Sequence, residues 1–316
     1  MHEQNYPSNI PSGDKPEKPK KEPVNFWKSV SALLFIVLAV MVISRVDLGS
    51  GVTIDSDEDT AVSLTDELFI EDAVLPQEGV EIPIEWGDFG KQMLDSGVID
   101  EEAFLALYDR RGGLDDEMTG LLYGENNGRL TITAENSGYL LNLLWAFGLG
   151  NKNDILESGP ITTSGDAGRF AATGGWSLAT GDSMDHFSMH SFVSLTEAQQ
   201  QLVEEVSSNI YRPCCGNSTF FPDCNHGMAM LGLLEIMASQ GMSAEDMYDY
   251  ALKVNSFWFP STYLTIAKYM GEQGVAWTDV DSKEMLGNSY SSSAGYKSVL
   301  AKVEPSTSSG GGGCGI

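Results

Sequence analysis

Tyr211–Gly241 reads YRPCCGNSTFFPDCNHGMAMLGLLEIMASQG, and the rest of the chain is understood from it. The stretch holds three of the four cysteines, Cys214, Cys215 and Cys224, with His226 close behind. From Met228 to Ala238 every residue is apolar except Gly232 and Glu235. A surface helix shows one apolar stripe, whereas a helix apolar on every side is buried. The run therefore predicts a buried central helix at about 228–240, opened by a thiol-rich loop. Gly232 sits inside it, where glycine costs about 1 kcal/mol relative to alanine. A second helix packed close against that position is the expected reason.

Outward from this stretch the pattern is mainly helical. Asp88 predicts a helix reaching Ser96 and stopped by Gly97, and Asp100 caps another, EEAFLALYDRR, stopped by Gly112 and Gly113. Glycine just past a helix end accepts the left-handed conformation that closes it. The same order of helix, glycine stop, cap and helix recurs in LLEIMASQGMSAEDMYDYAL and, loosely, in IAKYMGEQGVAWTDVDSKEML. Thr196 with Gln199 forms a capping box for a helix over Glu197–Ile210, and Ser243 with Asp246 resembles one. Further helices are expected over Glu135–Phe147, near Ala244–Phe257, and from Pro260 through Met270. RLTIT (Arg129–Thr133) reads as a short strand, and 148–182 as a long loop. The expected fold is thus helix–turn–helix hairpins around a buried central helix, with few short strands, preceded by one transmembrane helix.

Residues 1–25 have the composition of a disordered tail, placed in the cytoplasm. Trp27–Ser44, within an anchor over 26–44, is an apolar run at the short end of what spans a bilayer. Lys15, Lys18, Lys20 and Lys21 precede it and Lys28 stands at its entry, so the positive-inside bias puts the bulk of the chain outside the cytoplasm. A signal peptide cleaved near Val42-Ile43-Ser44 is the competing reading. Residues 45–80 read as an acidic stalk, where Asp55, Asp57 and Asp59 mimic a calcium loop that lacks its turn glycine, Thr60 standing in its place. Residues 81–303 form the helical domain outside the cytoplasm, and 304–316 a flexible Ser/Gly tail with Cys314.

The formal net charge is −27. Such a field repels nucleic acid and anionic lipid surfaces and attracts cations. Partners are therefore expected to be a metal ion, and the membrane through the N-terminal helix; no protein partner is indicated. No glycine-rich phosphate cradle stands between a strand and a helix.

Three chemistries compete for the cysteine stretch. Cys214, Cys215, Cys224 and His226, joined by His186 and His190 of MDHFSMH, are candidate ligands for Cu or Zn. Histidines at i and i+4 share one helical face, imidazole and thiolate suit both metals, and the neighbouring methionines tilt toward Cu(I). The second reading is a thiol enzyme or disulfide-exchange protein using Cys224, which an N-cap at Asp223 or Asn225 would place by the first helical turn, with a histidine base oriented by Asp185. The third is an interaction module at the cell envelope with purely structural disulfides. Cys314, on its tail, is read as a mobile arm able to bring a fourth thiol to the loop. Asn217-Ser218-Thr219 is also a glycosylation sequon.

Overall fold

The structure, a computed structural model, describes residues 69–303. The tail at 1–25, the anchor at 26–44, the acidic stretch up to residue 68 and the tail carrying Cys314 lie outside the described residues. Among the described residues, no helix is long and apolar enough to cross a membrane.

The described part is mainly helical with few short strands. β1 (Val80–Gly87) and β2 (Asn127–Ile132) pair antiparallel, with a register shift between Ile82 and Glu85. β1 was not anticipated, yet its period is plain: Ile82, Ile84 and Trp86 alternate into the core. The core also takes in Val74, upstream of β1 and within the stretch read as stalk. Between the strands lie α1 (Phe89–Ser96), α2 (Glu101–Asp109) and α3 (Asp116–Tyr123). Their ends follow the sequence signals: Gly97 stops α1 at φ 77°, and Asp100 caps α2 by accepting from the Ala103 amide.

After β2 comes α4 (Ser137–Gly150), buried continuously from Asn142 to its end. The segment read as one long loop, 148–182, is instead partly helical. It contains the end of α4, then α5 (Asp154–Ser158), α6 (Pro160–Thr163) and a 3-10 turn at Ala167–Arg169. Asn153 caps α5 and Pro160 occupies the first turn of α6, signals hidden among the small polar residues. The tryptophans clamp this region: Trp145 Nε1 donates to Ala172 O at 2.6 Å and Trp176 Nε1 to Val98 O at 2.8 Å.

α7 (Glu197–Asn209) opens with the anticipated capping box of Thr196 and Gln199. α8 (Asn225–Ser239) is the anticipated central helix, buried without a break from His226 to Ala238. It packs chiefly against α4 and then α7. The α4–α8 contact is made by glycines on both sides. A Cβ at Gly232 would meet Leu144 O at 2.6 Å and Gly148 N at 2.8 Å, and one at Gly148 would meet Met228 O at 2.2 Å. Two central helices, α4 and α8, thus stand where the sequence suggested one. α9 (Ala244–Trp258), α10 (Pro260–Glu272), α11 (Ser282–Leu286), α12 (Asn288–Ser291) and α13 (Ser293–Leu300) complete the described chain. Ser243 accepts from the Asp246 amide to open α9, and Pro260 starts α10.

Candidate metal centre

The thiol loop leaves α7 at Ile210, already extended, and returns into α8 at Cys224. It is pinned on both sides. Tyr211 and Ser218 form an antiparallel bridge, the Tyr211 amide donates to Leu286 O at 2.8 Å, and the Ser293 amide donates to Cys215 O at 2.9 Å. Cys224 itself is the N-cap of α8, although its side chain makes no capping bond. The sulfur is therefore available for other partners at the positive end of a buried helix.

Arg212 organises the loop. It is 1 % exposed, and each guanidinium nitrogen has an acceptor. Nε donates to Cys224 Sγ at 3.0 Å, Nη1 to Asn217 O at 3.1 Å, and Nη2 to Phe221 O at 3.0 Å and Asp223 Oδ1 at 2.6 Å. Gly227 makes room for it, since a Cβ there would fall 2.5 Å from Arg212 Cζ. Burial opposes the guanidinium charge, but the Cys224 and Cys215 sulfurs and Asp223 outweigh it and push the group above its usual range. Asp223 is held on its other oxygen by Asn217 Nδ2, at 2.7 Å. The sequon asparagine is thus half-buried and already engaged in the loop's own bonding.

The three described cysteines are free thiols. Cys214 and Cys224 stand 3.5 Å apart, sulfur to sulfur, while Cys215 Sγ lies 3.8 Å from both Asn217 O and Asp223 Oδ1. Hydrogen bonds from Cys214 and Cys215, helped by the Arg212 charge and a bond from His226, hold the Cys224 thiol well below the usual range despite its burial. Cys214 moves the opposite way, raised by its hydrogen bonds to Cys215 and Cys224 and by burial. For Cys215 the Cys214 hydrogen bond pulls down, but the bond to Cys224 and burial prevail, and it is pushed up to about 11. The directions of these shifts make Cys224 the most acidic of the three thiols.

Two sets of ligand atoms lie within 4.8 Å of one another: Cys214, Cys224 and His226, and Cys215, Asp223 and Cys224. Metal–sulfur and metal–nitrogen bonds of about 2.0–2.3 Å require ligand atoms about 3–4 Å apart. A small closure of either set would reach that geometry, so Cys214, Cys224 and His226 could hold a metal ion. His226 is buried, with Nδ1 donating to Asn225 Oδ1 at 2.9 Å and its ring against Phe259 at 4.4 Å. Such a bond fixes the orientation of a ligating imidazole.

His186 and His190 belong to neither set. The structure brings them to each other instead: His186 Nδ1 lies 3.0 Å from His190 Nε2, and His186 Nε2 donates to Thr180 O at 2.9 Å. They do not share a helical face. His186 ends a 3-10 turn, Ser188 takes a positive φ of 58°, and His190 bridges to Asn151. Burial lowers the His190 pKa, and the neighbouring His186 lowers it further. Arg212 was not singled out from the sequence. Its position three residues after the end of α7 carries no signal of a buried charge, and only the folded loop, with Asp223, Cys224 and two carbonyls turned toward it, explains its burial.

Comparison with protein-family models, curated proteins and solved structures finds no match to this chain.

Proposed function

We propose that this protein holds a soft or borderline transition metal, Cu or Zn, on Cys214, Cys224 and His226, for metal handling or redox at the cell envelope. The single observation that carries the reading is the convergence of two sulfurs and an imidazole within 4.8 Å at the N-terminus of a buried helix. Thiolate and imidazole suit these metals, whereas hard cations prefer oxygen. Cys215 and Asp223 border the same sulfur and supply further donors as the ion settles. Binding displaces the thiol protons of its cysteine ligands, so affinity falls as pH falls. The anchor and the placement outside the cytoplasm belong to the same proposal. They are supported by the apolar run at Trp27–Ser44 and by the lysines before it.

The test is metal analysis of the full chain, purified in detergent without chelator and kept reduced. Stoichiometric Cu or Zn is expected, lost in Cys214→Ser and His226→Ala and retained in His186→Ala. Protein that carries no metal, and takes up neither Cu(I) nor Zn(II) on titration, would refute the reading.

A further inference from the structure

Cys224 is common to both ligand sets, and its sulfur also touches Cys214 at 3.5 Å. A covalent change at this one atom would therefore dismantle both sets together. The alternatives are poorer. Cys214 and Cys215 are adjacent, so a bond between them would close a strained ring. Cys215 also lies within 4.8 Å of Cys224 but borders Asn217 O and Asp223, each at 3.8 Å, whereas Cys214 is in sulfur–sulfur contact at 3.5 Å.

We propose that Cys214 and Cys224 form a reversible dithiol–disulfide couple, and that their bond is the oxidised state of the centre. The consequence for the metal rests on the reading above; the bond itself does not. The oxidant class is a low-molecular-weight disulfide. The Cys224 thiolate, accepting from Arg212 Nε at 3.0 Å, attacks one sulfur of that disulfide. The external S–S bond breaks, a mixed disulfide forms on Cys224, and the first small thiolate leaves. Cys214 then gives its proton to that thiolate and attacks the Cys224 sulfur, expelling the second. Two electrons pass from the protein sulfurs to the small disulfide, which ends as one thiol and one thiolate. Exchange of this kind needs an accessible thiolate and a second thiol within contact. Cys214 and Cys224 are both only partly buried.

In this couple Arg212 is a positioning residue. It holds the attacking sulfur beside Cys214 and shares its charge. When the bond forms, Cys224 ceases to be an anionic donor, and Cys214 is lost as well. Of the first set only His226 remains, and of the second only Cys215 and Asp223.

The experiment uses the full chain carrying Cys314→Ser, so that the tail thiol cannot confuse the mapping. Reduced protein is equilibrated with oxidised and reduced glutathione at set ratios, quenched by acid, alkylated and digested without reduction. A peptide pair joined through Cys214 and Cys224 is expected, appearing as the ratio becomes oxidising and disappearing when it is reversed. Cys215→Ser should leave that pair intact. Cys214→Ser should stop at the mixed disulfide on Cys224 or shift the bond to Cys215. No bond at Cys224 at any ratio, or a dominant pair that excludes Cys214, overturns the couple. Zn(II) titration of the reduced and oxidised samples reads the metal separately. If the reduced protein takes no Zn(II) or Cu(I) while the Cys214–Cys224 pair still forms, the metal reading fails and the couple stands. If the reduced protein binds metal and the pair never forms, the couple fails alone.

Discussion

At the scale of the residue, Arg212 carries the argument. An isolated buried charge costs several kcal/mol, and a buried pair offsets this only when its remaining hydrogen bonds are made. Here they are: Cys224 Sγ, Asp223 Oδ1 and two carbonyls receive the guanidinium. The pairing adds to the hydrogen bonds from Cys214 and Cys215 that hold the Cys224 thiol below its usual range. Replacing Arg212 by Met keeps the approximate volume but leaves Asp223 and the Cys224 thiolate facing an apolar chain. Breaking a buried pair in this way costs about 3–5 kcal/mol. Urea unfolding of Arg212→Met should show a loss of that size, together with slower alkylation of Cys224 at neutral pH as its thiol regains its proton. A stability loss without the slower alkylation would mean that Arg212 only holds the loop. None of this can be read from YRPCCG, because an arginine two residues before a cysteine pair is ordinarily solvated. What could be read was the clustering of residue types, and the structure brings Cys214, Cys224 and His226 together as that clustering suggested.

At the scale of the element, α4 and α8 show which features of a helix are written in its own residues. The nearly continuous apolar run of α8 announced its burial, and Gly232 announced a close neighbour. The identity of the neighbour was not legible, because it depends on Gly148, in a stretch rich in glycine and small polar residues. The same composition concealed α5 and α6, whose starts rest on a single asparagine cap and a single proline. The strand β1 is a different kind of omission: its period of two was present, but the helix beginning at Phe89 drew the reading. The close crossing makes a direct prediction. A methyl group at residue 232 would sit 2.6 Å from Leu144 O and 2.8 Å from Gly148 N, both backbone atoms that cannot swing aside. Gly232→Ala should lose about 1–3 kcal/mol to overpacking even though alanine is the better helix former. Thermal unfolding checks it, and an unchanged midpoint would mean that the two helices can separate at no cost.

At the scale of the whole molecule, stability depends on a carboxyl in the middle of the core. Glu235 lies within α8 at 0 % exposure, with Oε2 accepting from Asn151 Nδ2 at 2.9 Å, and Asn151 Oδ1 accepting from the Val193 amide at 3.0 Å. Burial raises its pKa well above the usual carboxylate range, against the pull of Asn151 and Asn153. The sign follows: the folded state keeps a proton that the unfolded chain releases near pH 4.3. Stability is therefore full below that pH and declines as pH rises toward the folded value. Glu235→Gln, which cannot ionise, should be more stable than the parent protein at pH 8 by urea unfolding. The advantage should shrink as pH approaches 4, and an equal margin at both would exclude Glu235 as its source. Sequence reading marked Glu235 only as an interruption of an apolar run, since its amide partners come from another part of the chain. The glycine crossing has a last consequence, in time and not in energy. The backbones of Leu144–Gly148 and Met228–Gly232 lie against one another, so their amides are expected to trade hydrogen for deuterium only on global unfolding. The thiol loop is held by hydrogen bonds more than by apolar burial, so its amides are expected to exchange through brief local openings. Two clocks are expected in one protein, with the loop around Cys224 opening and closing many times within one unfolding lifetime of the helices beneath it, and hydrogen exchange checks this.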